Sequence, residues 1–210
     1  GYDSAGIATI SDNNINEVKC EGRVNELEKN VNQINLSGTT GIGHVRWATH
    51  GKPSTINAHP HSSDNVSVVH NGIIENSTIL KKILEKKGYK FKSQTDTEVI
   101  VHIVTDYLKK NNLKDTIIKV LKKLHGSFAL GIIFKDQPDL IIGARRGSPL
   151  AVGYGPDEHY LGSDSYALKS MTNKISYLND GEFCILKKNQ VEFFDSDGIK
   201  TNKKVLNLSK

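Results

Sequence analysis

Residues 128–144 read FALGIIFKDQPDLIIGA, and this stretch decides the fold class that the sequence predicts. Two apolar runs, Phe128 to Phe134 and Leu140 to Ala144, flank the polar segment 135–139, which contains a proline and two aspartates. Short runs rich in branched and aromatic residues, bounded by turn-forming residues, are typical of β-strands. The stretch therefore predicts two neighbouring strands separated by a turn.

Further strands are predicted on both sides of this pair, with helices before and between them. The downstream strands are Leu150 to Gly153, Tyr160 to Gly162, Glu182 to Leu186 and Val191 to Phe194. The upstream strands are Gly6 to Ile10, Gly41 to Trp47 and Val66 to His70. Apolar residues at helical spacing predict helices at Val24 to Ile34, from Ile79 to an end at Gly88, at Val99 to Leu108 and at Ile117 to Leu124.

This order of elements favours one fold class over another. Strands, then a helical middle, then more strands predict an α+β domain in which sheets pack together and helices cover them. A doubly wound α/β fold is disfavoured because the chain has no regular βαβ repeat and no Gly-x-x-x-x-Gly-Lys-Ser/Thr phosphate loop. Gly41-Ile-Gly43 also lacks the third glycine of a dinucleotide-binding fingerprint.

Composition excludes several classes of protein. Lysine and arginine exceed aspartate and glutamate by 28 to 23, but the lysines are spread along helical segments, which argues against a nucleic-acid partner. No apolar run reaches the ~18 residues of a membrane span and no secretory signal begins the chain, so the expected location is the cytoplasm. Cys20 and Cys184 are too few and too far apart for a disulfide framework or a zinc ribbon.

Histidines concentrate in one segment. Five of the eight lie between positions 44 and 70, together with the only tryptophan: His44, His50, His59, His61, His70 and Trp47. A metal site is disfavoured because this segment has no cysteine and only Asp64 as a nearby carboxylate. Alternation along a strand places His44 and Arg46 on one face, and some of the other histidines are expected to be hydrogen-bonded structural residues.

The pair Asn71-Gly72 follows an apolar strand and has two interpretations. Asn-Gly is the strongest short-range signal for a hairpin turn, and spacing alone favours that interpretation. The functional alternative is an oxyanion hole, in which the Asn71 side-chain amide and a backbone N–H at Gly72 donate to a tetrahedral intermediate.

The segment Thr95-Asp96-Thr97-Glu98 also has two interpretations. It fits a capping box, with Thr95 as the helix cap and Glu98 reaching back to it. Alternatively, Asp96 receives a ligand ammonium group while the planar guanidinium of Arg46 binds a carboxylate. Those two side chains together would bind the zwitterionic end of an amino acid.

Five longer motifs follow one another along the chain: GYDSAG at 1–6, GHVRWATHG at 43–51, NAHPH at 57–61, VHNGIIEN at 69–76 and TDTEV at 95–99. GARRGSPL at 143–150, GSD at 162–164 and DGE at 180–182 continue the series. In content and order they resemble the glutaminase domain of the glucosamine-6-phosphate synthases, which are class II glutamine amidotransferases. The resemblance covers essentially the whole chain. Amidophosphoribosyltransferases of purine synthesis share Asn-Gly but usually not the RWATHG and NAHPH motifs together.

The resemblance implies a fold, an activity and partners. The fold is that of the N-terminal nucleophile hydrolases, a four-layer sandwich of two mainly antiparallel sheets between helix layers, with residues 1–210 as the glutaminase domain. The substrate is L-glutamine, whose amide an N-terminal cysteine attacks with its own α-amino group as the base, and no cofactor or metal is needed. Ammonia passes to a sugar-phosphate isomerase domain, which makes glucosamine 6-phosphate from fructose 6-phosphate and through which a homodimer is expected to form.

The resemblance also implies roles for single residues. Asn71 and Gly72 would form the oxyanion hole, Arg46 would bind the glutamine α-carboxylate, and Asp96 would bind its α-ammonium group. The remaining matches are Thr49 and His50 in a loop that closes over glutamine, Trp47 as the residue that gates the ammonia passage, and His59 in a supporting role.

One family residue has no counterpart in the chain. The catalytic cysteine is expected upstream of Gly1, by about 25 residues of strand and helix, and the sugar isomerase domains are also absent. Cys20 and Cys184 are expected to be packing residues with no adjacent base. We therefore expect the 210-residue chain to be inactive although its parent hydrolyses glutamine. The alternative is a catalytically silent module that binds glutamine as a sensor.

Overall fold

A computed structural model describes residues 3–48 and 51–209. The strands are β1 (Ser4–Ser11), β2 (Asn14–Glu21), β3 (Thr40–Arg46), β4 (His61–Ser62), β5 (Val66–Ile74), β6 (Gly126–Phe134), β7 (Gln137–Arg146), β8 (Ala151–Gly155), β9 (Glu158–Gly162), β10 (Lys174–Tyr177), β11 (Phe183–Lys187), β12 (Val191–Phe194), β13 (Lys200–Thr201) and β14 (Leu206–Asn207). The helices are α1 (Val24–Ile34), α2 (Ser77–Lys86), α3 (Glu98–Leu108), α4 (Leu113–Lys123) and α5 (Ser165–Leu168).

The hairpin of β6 and β7 lies at the centre of a seven-stranded sheet. The strand order of this sheet is β13-β12-β11-β7-β6-β5-β4, and every pairing in it is antiparallel. Leu130 pairs with Ala144 and Ile132 with Ile142, so the two apolar runs predicted from the sequence face each other. Two smaller sheets have the orders β2-β1-β3 and β14-β10-β8-β9.

The elements stack in four layers. Helices α2, α3 and α4 cover one face of the seven-stranded sheet through a core that contains Ile100, Ile117, Leu130 and Ile142. The two smaller sheets pack on the opposite face of that sheet, and α1 and α5 lie against them from outside. The predicted α+β sandwich is confirmed, and its second sheet layer is divided into two separate sheets.

A groove separates the two smaller sheets. Within the described residues, β3 has a hydrogen-bonded neighbour on one side only, β1, and β9 has only β8. A methyl group on the Cα of Gly131 in β6 would lie 3.4 Å from Leu161 Cδ2 of β9 and 3.7 Å from Ile42 Cγ2 of β3. Strands β3, β5, β6 and β9 line a cavity of about 690 Å³ in this groove.

The hairpin turn favoured at Asn71-Gly72 is wrong. Both residues lie inside β5, where Asn71 pairs with Ala129 and Gly72 with Phe128. The strand continues to Ile74 because β6 supplies hydrogen-bonding partners along its whole length, and this pairing outweighs the local preference for a turn. Gly72 has a φ of 129°, and a methyl group there would come within 2.2 Å of the Ser127 carbonyl oxygen. Glycine is therefore required at this position for steric reasons.

The capping box at Thr95 is also wrong. Helix α3 begins at Glu98 after Thr97, whose backbone is already helical and whose side chain makes no capping hydrogen bond. The Glu98 carboxylate instead accepts the backbone N–H groups of Lys92 and Ser93, at 2.8 and 2.7 Å. The segment before α3 folds back over the start of the helix, so Glu98 satisfies the donors of that segment rather than those of Thr95.

Candidate active site

A cleft of about 150 Å³ lies where the ends of β3 and β5 meet the segment that precedes α3. Six residues selected from the sequence line it: Arg46, Trp47, His59, Asn71, Gly72 and Asp96. Its other lining residues are His44, Val45, His70, Thr95 and Thr97. Thr49 and His50, the other two selected residues, lie outside the described residues. The fold thus brings four of the chain segments that carry the motifs to one place.

Arg46 ends β3 and is buried in the wall of the cleft. Its Nη2 donates to the carbonyl oxygen of Gly51 at 3.2 Å, and its Nη1 lies 3.5 Å from the Asp3 carboxylate. The carboxylate of Asp3 also accepts the backbone N–H of Ala48. A buried guanidinium needs such an anionic partner, and its planar set of five N–H donors suits a carboxylate ligand.

Asp96 lies on another side of the cleft and is also buried. Its Oδ2 accepts the backbone N–H of Ile74 at 2.7 Å, which fastens the segment before α3 to the end of β5. Within residues 3–48 and 51–209, Oδ1 of Asp96 has no hydrogen-bond partner. One oxygen of the carboxylate is thus structural, while the other can receive a ligand cation.

Asn71 and Gly72 form the exposed end of β5 at the cleft. The Oδ1 atom of Asn71 accepts a hydrogen bond from Nε2 of His44 at 2.7 Å. The amide nitrogen of Asn71 is therefore the end of the group that can donate to a ligand. This pair of residues is placed on rigid sheet structure, which suits a preorganised donor site.

Stacked imidazole rings form the wall behind these residues. The ring centroids of His44 and His59 are 4.2 Å apart, and those of His59 and His61 are 5.0 Å apart. Burial lowers the pKa of His44 and His59 and lowers that of His61 to about 3. Nε2 of His61 pairs with Thr95 Oγ1 at 2.9 Å, which confirms a structural role for this histidine. Within the described residues, no group of three or more His, Cys, Asp or Glu side chains could hold a metal ion.

The described part of the cleft offers no accessible nucleophile. Thr97 Oγ1 lies 2.9 Å from Nδ1 of His70, which is the distance of a hydroxyl and its base. Thr97 is however fully buried, so its hydroxyl cannot reach a substrate. Neither Cys20 nor Cys184 lines the cleft, and burial raises the pKa of Cys184 to about 12. Both cysteines are buried in the fold, as the sequence predicts.

Sequence reasoning missed the part that His44, Thr95 and His70 play in building the cleft. The signal for His44 was present, because alternation along β3 places it on the same face as Arg46. No local pattern pointed to the bonds that Thr95 and Thr97 make to histidines, since those histidines come from distant segments. No helix in the part of the chain described here is long and apolar enough to cross a membrane.

Comparison with known proteins shows which protein family the chain belongs to. Residues 45–170 match the family described as the glutamine amidotransferase domain, and this range contains the whole cleft apart from His44. The chain belongs to that family.

Particular relatives agree with this class. The glutamine–fructose-6-phosphate aminotransferase [isomerizing] of Bradyrhizobium diazoefficiens is 52% identical over 94% of this chain, which is 33% of that relative. The enzyme of the same name from Mesorhizobium japonicum is 51% identical over 97% of this chain and 34% of its own length. The chain thus spans about a third of the length of these relatives. Among solved structures, the glutamine phosphoribosylpyrophosphate amidotransferase of B. subtilis superimposes with a TM-score of 0.76 at 28% identity, over 93% of this chain and 43% of that one.

Proposed function

We propose that this chain is the glutaminase part of an enzyme that takes ammonia from L-glutamine to convert fructose 6-phosphate into glucosamine 6-phosphate. The observation that carries the proposal is the convergence of Arg46, Asp96 and Asn71-Gly72 on one cleft. The 52% identity to a glutamine–fructose-6-phosphate aminotransferase supports fructose 6-phosphate as the acceptor of the ammonia.

Charge selects the substrate class. Arg46 supplies a cation for the α-carboxylate of glutamine, and Oδ1 of Asp96 supplies an anion for its α-ammonium group. Hydrogen bonds between charged partners are roughly twice as strong as neutral ones, so the pair favours a zwitterion over a simple amide. The side-chain amide of the bound amino acid then extends towards Asn71 and Gly72.

The chemistry at the amide carbon is acyl transfer. A nucleophile adds to the carbon, and the oxygen that gains negative charge receives hydrogen bonds from the Asn71 amide and a backbone N–H at Gly72. The proton lost by the nucleophile passes to the amide nitrogen, so collapse of this intermediate expels neutral ammonia and leaves a glutamyl ester or thioester on the nucleophile. Water then cleaves that bond to give glutamate and the free enzyme.

The groove between β3 and β9 is the place for the strand that carries the nucleophile. The cavity of about 690 Å³ in this groove lies between two strands, each of which has a hydrogen-bonded neighbour on one side only within the described residues, so a further strand can pair there. His44 and Asn71 line both the groove and the cleft, so a strand in the groove would end beside the oxyanion hole. We propose that the family's cysteine-bearing strand occupies this groove and that residues 1–210 form the rest of the glutaminase domain.

The proposed partners follow from the same relatives. Ammonia is passed to a sugar-phosphate isomerase domain of the same polypeptide, and the enzyme dimerises through that domain. Trp47 gates the passage between the two sites, His59 supports the cleft, and Thr49 and His50 belong to the loop that closes over glutamine. The location in the cytoplasm stays a prediction.

Product analysis tests the proposal. The full-length protein is incubated with L-glutamine, with and without fructose 6-phosphate, and both glutamate and glucosamine 6-phosphate are quantified. We expect equal amounts of the two products when both substrates are present and no glutamate from the 210-residue chain alone. Release of glutamate without any amino sugar would refute fructose 6-phosphate as the acceptor of the ammonia. Glutamine binding by calorimetry, with no glutamate from the full-length protein, would instead establish the silent binding module.

A further inference from the structure

We infer that His44 is a positioning residue that fixes the orientation of the Asn71 side-chain amide in the oxyanion hole. The inference rests on the glutaminase function proposed above. It concerns a residue that neither takes part in the acyl transfer nor contacts the glutamine zwitterion in that proposal.

A hydrogen bond from His44 holds the side-chain amide of Asn71. Nε2 of His44 lies 2.7 Å from Oδ1 of Asn71, although the two residues belong to different sheets. An Asn amide rotates about a broad, nearly two-fold torsion, so its oxygen and nitrogen ends exchange places at little intrinsic cost. The bond from His44 ties the oxygen to the protein and leaves the nitrogen for the ligand.

Orientation of this group determines what it does to an oxyanion. With the nitrogen towards the substrate, the amide donates a hydrogen bond to the developing charge. With the oxygen towards the substrate, it presents a negative partial charge to a negative atom. A rotated amide therefore opposes the reaction rather than contributing nothing, and a residue that prevents rotation raises kcat without altering glutamine binding.

His44 is itself held in place from two sides. Its backbone pairs with Gly6 in the centre of the β2-β1-β3 sheet. Its ring stacks on that of His59 at 4.2 Å with an interplanar angle of 16°. The direction of the Nε2–H bond is therefore set by strand pairing and ring stacking rather than by a flexible side chain.

The protonation state agrees with this geometry. Burial is the largest influence on the His44 ring and lowers its pKa, and the nearby His70 and Arg46 lower it further. The bond to Asn71 and the His70 backbone act in the opposite direction but are smaller in effect. A neutral ring carries one N–H, and donation to Asn71 places that proton on Nε2. Nδ1 of His44 is buried and makes no hydrogen bond within the described residues.

Two substitutions separate the hydrogen bond from packing. His44→Phe keeps a ring that can stack on His59 but removes the donor, whereas His44→Gln keeps an N–H near the position of Nε2. Loss of a whole oxyanion donor costs about 100- to 1000-fold in kcat, so we expect His44→Phe to lower the kcat for glutamate release by about 10- to 100-fold. The KM for glutamine should stay nearly constant, and His44→Gln should recover most of the rate. The exposed His125→Phe serves as the matched control.

A double-mutant cycle in the full-length protein gives the decisive comparison. In an Asn71→Ala background, His44→Phe should have no further effect on kcat, because it acts through the missing amide. The inference is overturned if His44→Phe and His44→Gln lose equal activity, or if His44→Phe reduces kcat equally with and without Asn71. If the wild type releases glutamate and His44→Phe has the same kcat, the inference is refuted but the proposed function is not.

A second measurement does not depend on activity. In the 210-residue chain uniformly labelled with ¹⁵N, we expect His44 at neutral pH to carry its proton on Nε2. The Asn71 amide resonances should shift in His44→Phe and not in His44→Gln. A proton on Nδ1 instead, or Asn71 resonances insensitive to His44→Phe, would contradict the inference even if the full-length protein released no glutamate.

Discussion

In the proposed function, two buried side chains of opposite charge give the cleft its selectivity for an amino acid. Arg46 is only 4% exposed and Asp96 only 8% exposed, yet each is held by the protein through part of its polar surface. Arg46 is bound to Gly51 and lies beside Asp3, and Asp96 accepts from Ile74. This arrangement preorganises both charges before a ligand binds, which reduces the ordering that binding requires.

Asp96→Asn should weaken glutamine binding without disturbing the fold. The asparagine oxygen can still accept the N–H of Ile74, but the negative charge for the α-ammonium group is lost. A hydrogen bond to a charged group contributes about 1.5–3 kcal/mol, so we expect KM to rise by about 10- to 150-fold. Steady-state kinetics of glutamate release by the full-length protein measures this. Asp64→Asn, at an exposed position, is the control, and an Asp96→Asn enzyme with the KM of wild type would refute the role of Asp96.

The end of β5 has a strict steric requirement. Gly72 combines a positive φ with close approach of the Ser127 carbonyl from β6. The backbone that would present the proposed oxyanion donors is therefore also the backbone that β5 needs in order to pair with β6. The same glycine serves strand pairing and the site.

Gly72→Ala should be much more destabilising than an alanine at another glycine of positive φ. Gly88 has a φ of 94° but no atom within 4 Å of a methyl group placed there. We expect Gly88→Ala to lower the free energy of unfolding by about 1–2 kcal/mol, from backbone strain alone. Gly72→Ala adds a steric clash, so a loss of roughly 3 kcal/mol or more is expected. Urea denaturation compares them, and equal losses would show that β5 tolerates a side chain at this position.

The sequence predicts the central strands well and the edges poorly. The apolar runs of β6 and β7 are buried on both faces, so their composition alone indicates strands. Strand β2 (Asn14–Glu21) is not predicted because it is a mostly polar edge strand. The turn at Asn71-Gly72 is predicted wrongly because a local preference carries no information about the partner strand β6.

The site is predicted through motifs and not through local patterns. Arg46 and Asp96 come from distant segments, and no periodicity relates them. The resemblance to a known family predicts that both contact one ligand, and the fold shows that they share a cleft. Charge and donor chemistry indicate what each residue can bind, but only the packing of β3 on β5 shows that His44 reaches Asn71.

The fold as a whole buries a group of neutral histidines, and this couples its stability to pH. The unfolded chain binds a proton at His61 near the ordinary pKa of 6.5, whereas the folded chain does so only at about 3. The unfolded state therefore takes up more protons as the pH falls below 6.5, and stability is lost in that direction. Glu98, whose folded pKa is lowered to about 2 from 4.5, contributes only below pH 4.5.

Acid should therefore destabilise the protein well above the range in which carboxylates titrate. Where the unfolded state binds one more proton than the folded state, each pH unit of acidification lowers the free energy of unfolding by about 1.4 kcal/mol. His61 alone should therefore lower the free energy of unfolding by about 2 kcal/mol between pH 7 and pH 5. Urea denaturation at several pH values measures the slope. His61→Gln should reduce the slope by about one proton, whereas His125→Gln should not. An unchanged slope in His61→Gln would exclude His61 as the source.

The central claim, that this cleft hydrolyses glutamine with Asn71 as an oxyanion donor, is tested most directly by steady-state glutamate release. The full-length protein is compared with Asn71→Ala and with Asn189→Ala, an exposed asparagine in the turn after β11. We expect glutamate from the wild type and from Asn189→Ala, and a kcat lower by about 100- to 1000-fold with little change in KM for Asn71→Ala. A folded wild type that binds glutamine without releasing glutamate, or an Asn71→Ala protein as active as the wild type, would contradict the claim.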